Sequence, residues 1–168
     1  METTINFWIE NSDSFMHQIF MIVMGMLYAL SFAIGVSYKA VNIFVYFVLF
    51  PFSFILFFKG KWKYFLLPTP LLFFAIPNYE KLSSKFFDDC VVFLNYTAKI
   101  FNSNYIDMSV YLCVLVPLLL YVPFVIYRFT KKQLYITFAV FSTITLLYGI
   151  FVYPFFKPLL VSLSHYIR

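Results

Sequence analysis

The sequence is short of charge. Only 11% of its 168 residues are charged, against roughly 25% in soluble domains, and this deficit excludes a water-soluble globular fold. With 63% hydrophobic residues, the chain reads as an integral membrane protein with room for four or five spans and none for a soluble domain. Four glycines are too few to suggest a glycine-rich phosphate loop. The two cysteines, Cys90 and Cys113, are too few and too far apart in sequence for a disulfide framework or a metal cage, and read as two isolated thiols. His17 and His165 have no metal-ligand spacing, so no metal is expected. No ionisable residue falls clearly at the centre of an apolar run, which argues against ion-coupled transport and voltage sensing. An intramembrane enzyme needs a base or nucleophile held at the reacting atom, and the spans offer no such set. We therefore expect no catalytic residue and no cofactor. The first thirteen residues carry Glu2, Glu10 and Asp13 instead of a basic leader, so no signal peptide is expected.

What is present is a stretch that occurs twice. Ser37-Tyr38-Lys39-Ala40-Val41-Asn42-Ile43 leads to Pro51, and Asn104-Tyr105-Ile106-Asp107-Met108-Ser109-Val110 leads to Pro117. Each copy is followed by an apolar run and a basic cluster, Lys59, Lys61 and Lys63 in the first, Arg128, Lys131 and Lys132 in the second. The proline registers differ by one residue. This predicts a tandem pseudo-repeat within a single membrane domain, with candidate halves 12–77 and 78–156 and a short surface tail at 157–168. Tyr38 with Asn42, and Tyr105 with Ser109, sit one helical turn apart, so each Tyr can clasp the start of its helix. The two hinges are candidate surfaces for a partner or a lipid headgroup.

The predicted spans run from about Phe15 to Val36, Asn42 to Phe58, Ile106 to Tyr127 and Gln133 to Phe155. Ser12, Asp13 and Ser14 are N-cap candidates for the first. Gly25, Ala29 and Ala33 place small residues on one face of it, and Ser142, Thr145 and Gly149 do so on the last; in lipid such faces let helices approach closely. Pro51 predicts a kink, with Ser53 available to satisfy the loosened backbone. Residues 65–76, with Pro68 and Pro70, are short for a span and are either a broken crossing or a re-entrant segment. Residues 86–101 form an amphipathic helix, with Phe87, Cys90, Val91, Leu94, Ala98 and Phe101 opposite Asp88, Asn95 and Lys99. It lies in the interface or, if the preceding segment re-enters, crosses. Asp88 and Asp89 could bind a cation, pair with Lys85, or meet a partner.

The net charge of +5 falls in short loops and not on one long polar face, so it signals orientation and not nucleic acid. With both basic loops cytoplasmic, the N-terminus is inside and the Tyr38 hinge outside. Ten lysines to two arginines point to AT-rich coding and, with the composition, to a bacterial inner membrane. The order Cys90, Arg128, His165 resembles the Cys, Arg, His order of exosortase-type transpeptidases in those three residues alone. Arg128 is already explained by its basic loop, so no such activity is expected. The function expected is a non-enzymatic small subunit of a membrane assembly, partnered by lipid and by other membrane proteins or copies of itself. The alternative is an oligomeric pore or permeabilising effector of phage-defence or holin type, and a weaker one is a lipid-handling protein.

Overall fold

A computed structural model describes residues 2–57 and 60–167. Lys59 lies outside them, and the side chains of Lys63 and His165 are likewise not described. The described residues form helices and no strand. Four helices are long and apolar enough to cross a membrane: span 1 (Phe15–Ile34), span 2 (Tyr38–Phe57), span 3 (Tyr105–Arg128) and span 4 (Lys131–Ser162). The protein is an all-α membrane protein. The chain divides into two compact units, residues 1–23 with 129–168, and residues 24–128.

In the first unit, an N-terminal helix (Glu2–Glu10) packs against a C-terminal helix (Phe156–Ile167). Of the three N-cap candidates, Ser14 takes the role, accepting from the His17 amide at 3.1 Å, while buried Ser12 turns its hydroxyl to the Ile9 carbonyl. Gln18 ties span 1 to span 4. It is 2% exposed, accepts from the Tyr148 hydroxyl at 2.6 Å, and donates to the carbonyls of Ser12 (2.9 Å) and Tyr153 (3.2 Å). A buried amide needs these partners, because an unsatisfied polar group away from water costs about 1–3 kcal/mol. Phe15 packs edge-on to Tyr148, and Lys157 pairs with Asp13 at 2.6 Å.

In the second unit, spans 2 and 3 run parallel. Their ring contacts climb together, from Phe50 on Tyr121 through Phe54 on Tyr121 and Phe124 to Phe57 on Phe124. Phe54 meets Tyr121 and Phe57 meets Phe124, the residues that correspond when Ser37 is aligned with Asn104. Both spans therefore start at one end of the unit, the hinge end, with Lys61 and Arg128 at the other.

Spans 2, 3 and 4 share one internal device. Each contains a π-helical turn, Phe44–Leu49, Tyr111–Leu115 and Tyr148–Val152, that ends two residues before a proline, Pro51, Pro117 and Pro154. In each, the amide of the residue before the proline reaches back five residues, Phe50 to Val45, Val116 to Tyr111 and Tyr153 to Tyr148. A proline ring clashes with the carbonyl four residues earlier, and widening the preceding turn relieves the clash without breaking the span. The one-residue difference in proline register between the two motif copies is the one-residue difference in length of their π turns. Ser53 bonds the carbonyl of Phe50 and the hydroxyl of Tyr121, so it links spans 2 and 3 and does not bond the Phe47 carbonyl that Pro51 leaves without its usual donor.

Residues 62–75 return the chain to the hinge end. They begin five residues beyond the described end of span 2 and finish with Phe73 and Phe74 against Phe44, near the start of span 2. The segment is α-helical at Trp62–Leu66 and 3-10 helical at Thr69–Ala75. A 3-10 helix rises about 2.0 Å per residue against about 1.5 Å. The stretch thus reaches about 25 Å, where an α-helix of equal length would reach about 21 Å. Residues 65–76 are thus a broken helical segment that runs back along span 2. Asn78, left-handed at φ 57°, a conformation that Asn tolerates, then turns the chain into the amphipathic helix (Tyr79–Ile100). That helix packs across the first turns of spans 2 and 3, so it begins and ends at the hinge end.

Candidate functional site

The hinge end holds most of what is buried in the second unit: Ala40, Val41, Ile43 and Phe44 of span 2, Met108, Ser109 and Val110 of span 3, and Ser83 and Ala98 of the amphipathic helix. The two hinges are built alike. Span 1 closes with bonds from Val36 to Ser31 and from Gly35 to Phe32, with Gly35 left-handed at φ 69°. The amphipathic helix closes with bonds from Ser103 to Ala98 and from Asn102 to Lys99, with Asn102 left-handed at φ 50°. Both are the helix stop that a left-handed residue permits. Two residues later comes the N-cap of the next span: the Ser37 hydroxyl accepts from the Ala40 amide, and the Asn104 side chain from the Asp107 amide. The motif repeat thus extends back through the turn before it.

The tyrosines do not cap. Tyr38 accepts from the Asn42 amide at 3.4 Å, stacks on Tyr28 with centroids 4.1 Å apart and meets Phe87 edge-on. Ser109 donates to the backbone carbonyl of Tyr105 at 2.8 Å. Both motif copies pack on the amphipathic helix.

The acidic pair separates. Asp88 binds Lys39 of span 2 at 2.7 Å, and not Lys85 on its own helix. Lys39 also donates to Ser84 at 3.3 Å and lies 5.7 Å from the centroid of Phe87. The Ser37 amide donates to Glu80 at 3.4 Å. With side chains 38% and 60% exposed, the Lys39–Asp88 pair contributes about 0–1 kcal/mol. Burial of Val41 alone is worth more, about 1.5–3 kcal/mol, so packing holds the hinge and the ion pair fixes its register. Asp89 is exposed.

Compared with known protein families, curated proteins and solved structures, the chain matches none.

The remaining sequence-chosen residues are spread out. Ala29 and Ala33 are exposed and Gly25 is half-buried. On span 4, Ser142 is half-buried, Thr145 and Gly149 are exposed, and a Cβ on Gly149 would meet nothing within 4 Å. Lys61, Arg128, Lys131 and Lys132 are exposed. Among the described residues, no group of three or more His, Cys, Asp or Glu side chains could hold a metal ion.

Sequence reasoning missed Lys39 and Gln18. Both carried a signal, since each is a polar residue in the first turn or two of an apolar run, where a buried partner is required. It also missed Thr130 and Gln133, whose reciprocal bonds form a capping box at the start of span 4, signalled by Thr-x-x-Gln ahead of apolar sequence.

The two thiols are free and half-buried, and within electrostatic reach of each other. Burial, with Asp89 beside it, pushes the Cys90 thiol above its ordinary range. Since the thiolate is the reacting form, maleimide labelling of Cys90 in a Cys113→Ser background should be slow at neutral pH. Its rate should still rise steeply through pH 9, where an ordinary thiol levels off. A stopped-flow pH profile that flattens by pH 9 would contradict this environment.

Proposed function

We propose that the protein is a non-enzymatic small subunit of a membrane assembly, packing through the small-residue faces of its spans against other membrane proteins or further copies of itself. The observation that carries this reading is that these faces lie open. Ala29 and Ala33 of span 1, and Thr145 and Gly149 of span 4, are exposed, so no described residue of its own unit packs over them. A helix that meets only lipid has no use for small side chains on one stripe, whereas a close-packed partner helix requires them. The hydroxyls of Thr143 and Thr145 bond carbonyls of their own helix, Ala139 and Phe141, at 2.8 and 2.9 Å. That weighs against the alternative, a pore lined by span 4 hydroxyls. We further place the protein in the bacterial cytoplasmic membrane with its N-terminus inside. The basis is the positive-inside rule applied to the parallel spans 2 and 3, each of which is followed in sequence by a basic cluster.

The test pairs assembly size with leakage. Ala29→Leu combined with Ala33→Leu should convert the detergent-extracted complex to a smaller species with unchanged helicity, because both positions are exposed. Liposomes holding only the wild-type protein should retain an ion-sensitive dye. An unchanged complex would remove the packing argument, and dye leakage would favour the pore.

A further inference from the structure

The amphipathic helix has three faces where its sequence pattern suggested two. The face expected to enter the membrane, with Phe87, Cys90, Val91, Leu94 and Ala98, is the buried or half-buried one and is turned toward spans 2 and 3. A second apolar flank remains: Leu82, Phe86, Phe93, Tyr96 and Ile100 recur at intervals of three, four and seven residues, which makes one continuous helical stripe. Phe93, Tyr96 and Ile100 are 60%, 65% and 60% exposed. The adjoining flank carries Lys81, Lys85 and Lys99, all exposed, and its one carboxylate, Asp88, is already engaged by Lys39.

We infer that this second flank is a lipid-binding surface, with the stripe seated among the upper acyl chains and the three lysines on the phosphates of anionic headgroups. Two observations select lipid over a protein partner. The first is position. The helix lies across the first turns of two spans that are 20 and 24 residues long, enough to bridge the roughly 30 Å hydrocarbon layer, so it sits at the level where hydrocarbon meets headgroup. The second is charge. A stripe bordered along one side by uncompensated lysines fits a surface that is apolar below and anionic above. Asp89 falls within the stripe, between Phe86 and Phe93, and keeps this flank from sinking beyond the glycerol level.

The test uses tryptophan reporters in the full-length chain, with Trp8→Phe and Trp62→Phe removing the native signal. Phe93→Trp reports the stripe and Asn95→Trp the lysine flank. In phosphatidylcholine vesicles, lipids brominated near the glycerol should quench the reporter at 93, and aqueous acrylamide should quench the reporter at 95. Adding phosphatidylglycerol should strengthen the bromolipid quenching at 93. That gain should vanish when Lys81, Lys85 and Lys99 are all replaced by Gln, with retained quenching at 95 and unchanged helicity showing that the variant is folded. Full acrylamide access at 93 would overturn the inference, as would shielding from both quenchers, which would mean a protein cover. A phosphatidylglycerol response that survives the lysine replacements would overturn the headgroup assignment.

Discussion

Ala40→Leu is expected to lower the stability of the detergent-solubilised protein by about 1–3 kcal/mol, the usual cost of forcing a larger side chain into a filled core. Ala40 is fully buried beside Val41, also fully buried, where the first turn of span 2 packs against the amphipathic helix. A leucine there must push the helix off the span or leave its preferred rotamers. The Lys39–Asp88 and Ser37–Glu80 contacts sit one and three residues away, so lifting the helix also breaks its register. Scanning fluorimetry should place the midpoint well below wild type. Ala75→Leu, an alanine to leucine change at an exposed position outside the small-residue faces, provides the control and should not move it. Equal midpoints for all three proteins would mean that the hinge end is not packed as described.

The elements most legible in the sequence were those governed by local rules. Apolar run length gave the four spans, although span 2 starts at Tyr38 and not at Asn42, because the Ser37 cap begins the helix before the charged Lys39. The motif repeat was visible because its residues each do a local job that needs a particular side chain: a cap, a clasp, a small residue at a close contact. Even the proline mismatch, which counted against the repeat, has a local cause in the π turns.

What could not be read was which distant group each polar residue meets. Helical spacing pointed the acidic pair to Lys85, one turn earlier; only the docking of span 2 on the amphipathic helix brings Lys39 to Asp88. The buried face of that helix was correct to within its last residue, Phe101, which is exposed. Its surroundings were not legible, since apolar periodicity distinguishes an inner face from an outer one without saying whether protein or lipid covers it. The candidate surface was likewise divided. Both hinges pack on the amphipathic helix, whereas Asp88 forms an exposed ion pair with Lys39 and Asp89 is exposed. The fate of residues 62–75 depended on a change of helix type. They are short for a plain α-helical span, and the longer rise of the 3-10 turn at Thr69–Ala75 adds about 4 Å of reach.

We propose that this return of residues 62–75 to the hinge end is a membrane crossing, which would place both ends of the amphipathic helix on one side of the membrane. Single cysteines at Lys61, Lys81 and Ser103, introduced into a Cys90→Ser, Cys113→Ser chain and treated with a membrane-impermeant maleimide in sealed cells and then in opened ones, test it directly. Ser103 follows the helix and Lys81 lies in its first turn, so the account predicts that both label from the same side, and that Lys61 labels from the other. The effect is all or none, since a crossing either occurs between positions 61 and 81 or does not. Labelling of Lys81 together with Lys61, opposite to Ser103, would contradict the account: residues 62–75 would then dip and return, and Tyr79–Ile100 would be the helix that crosses.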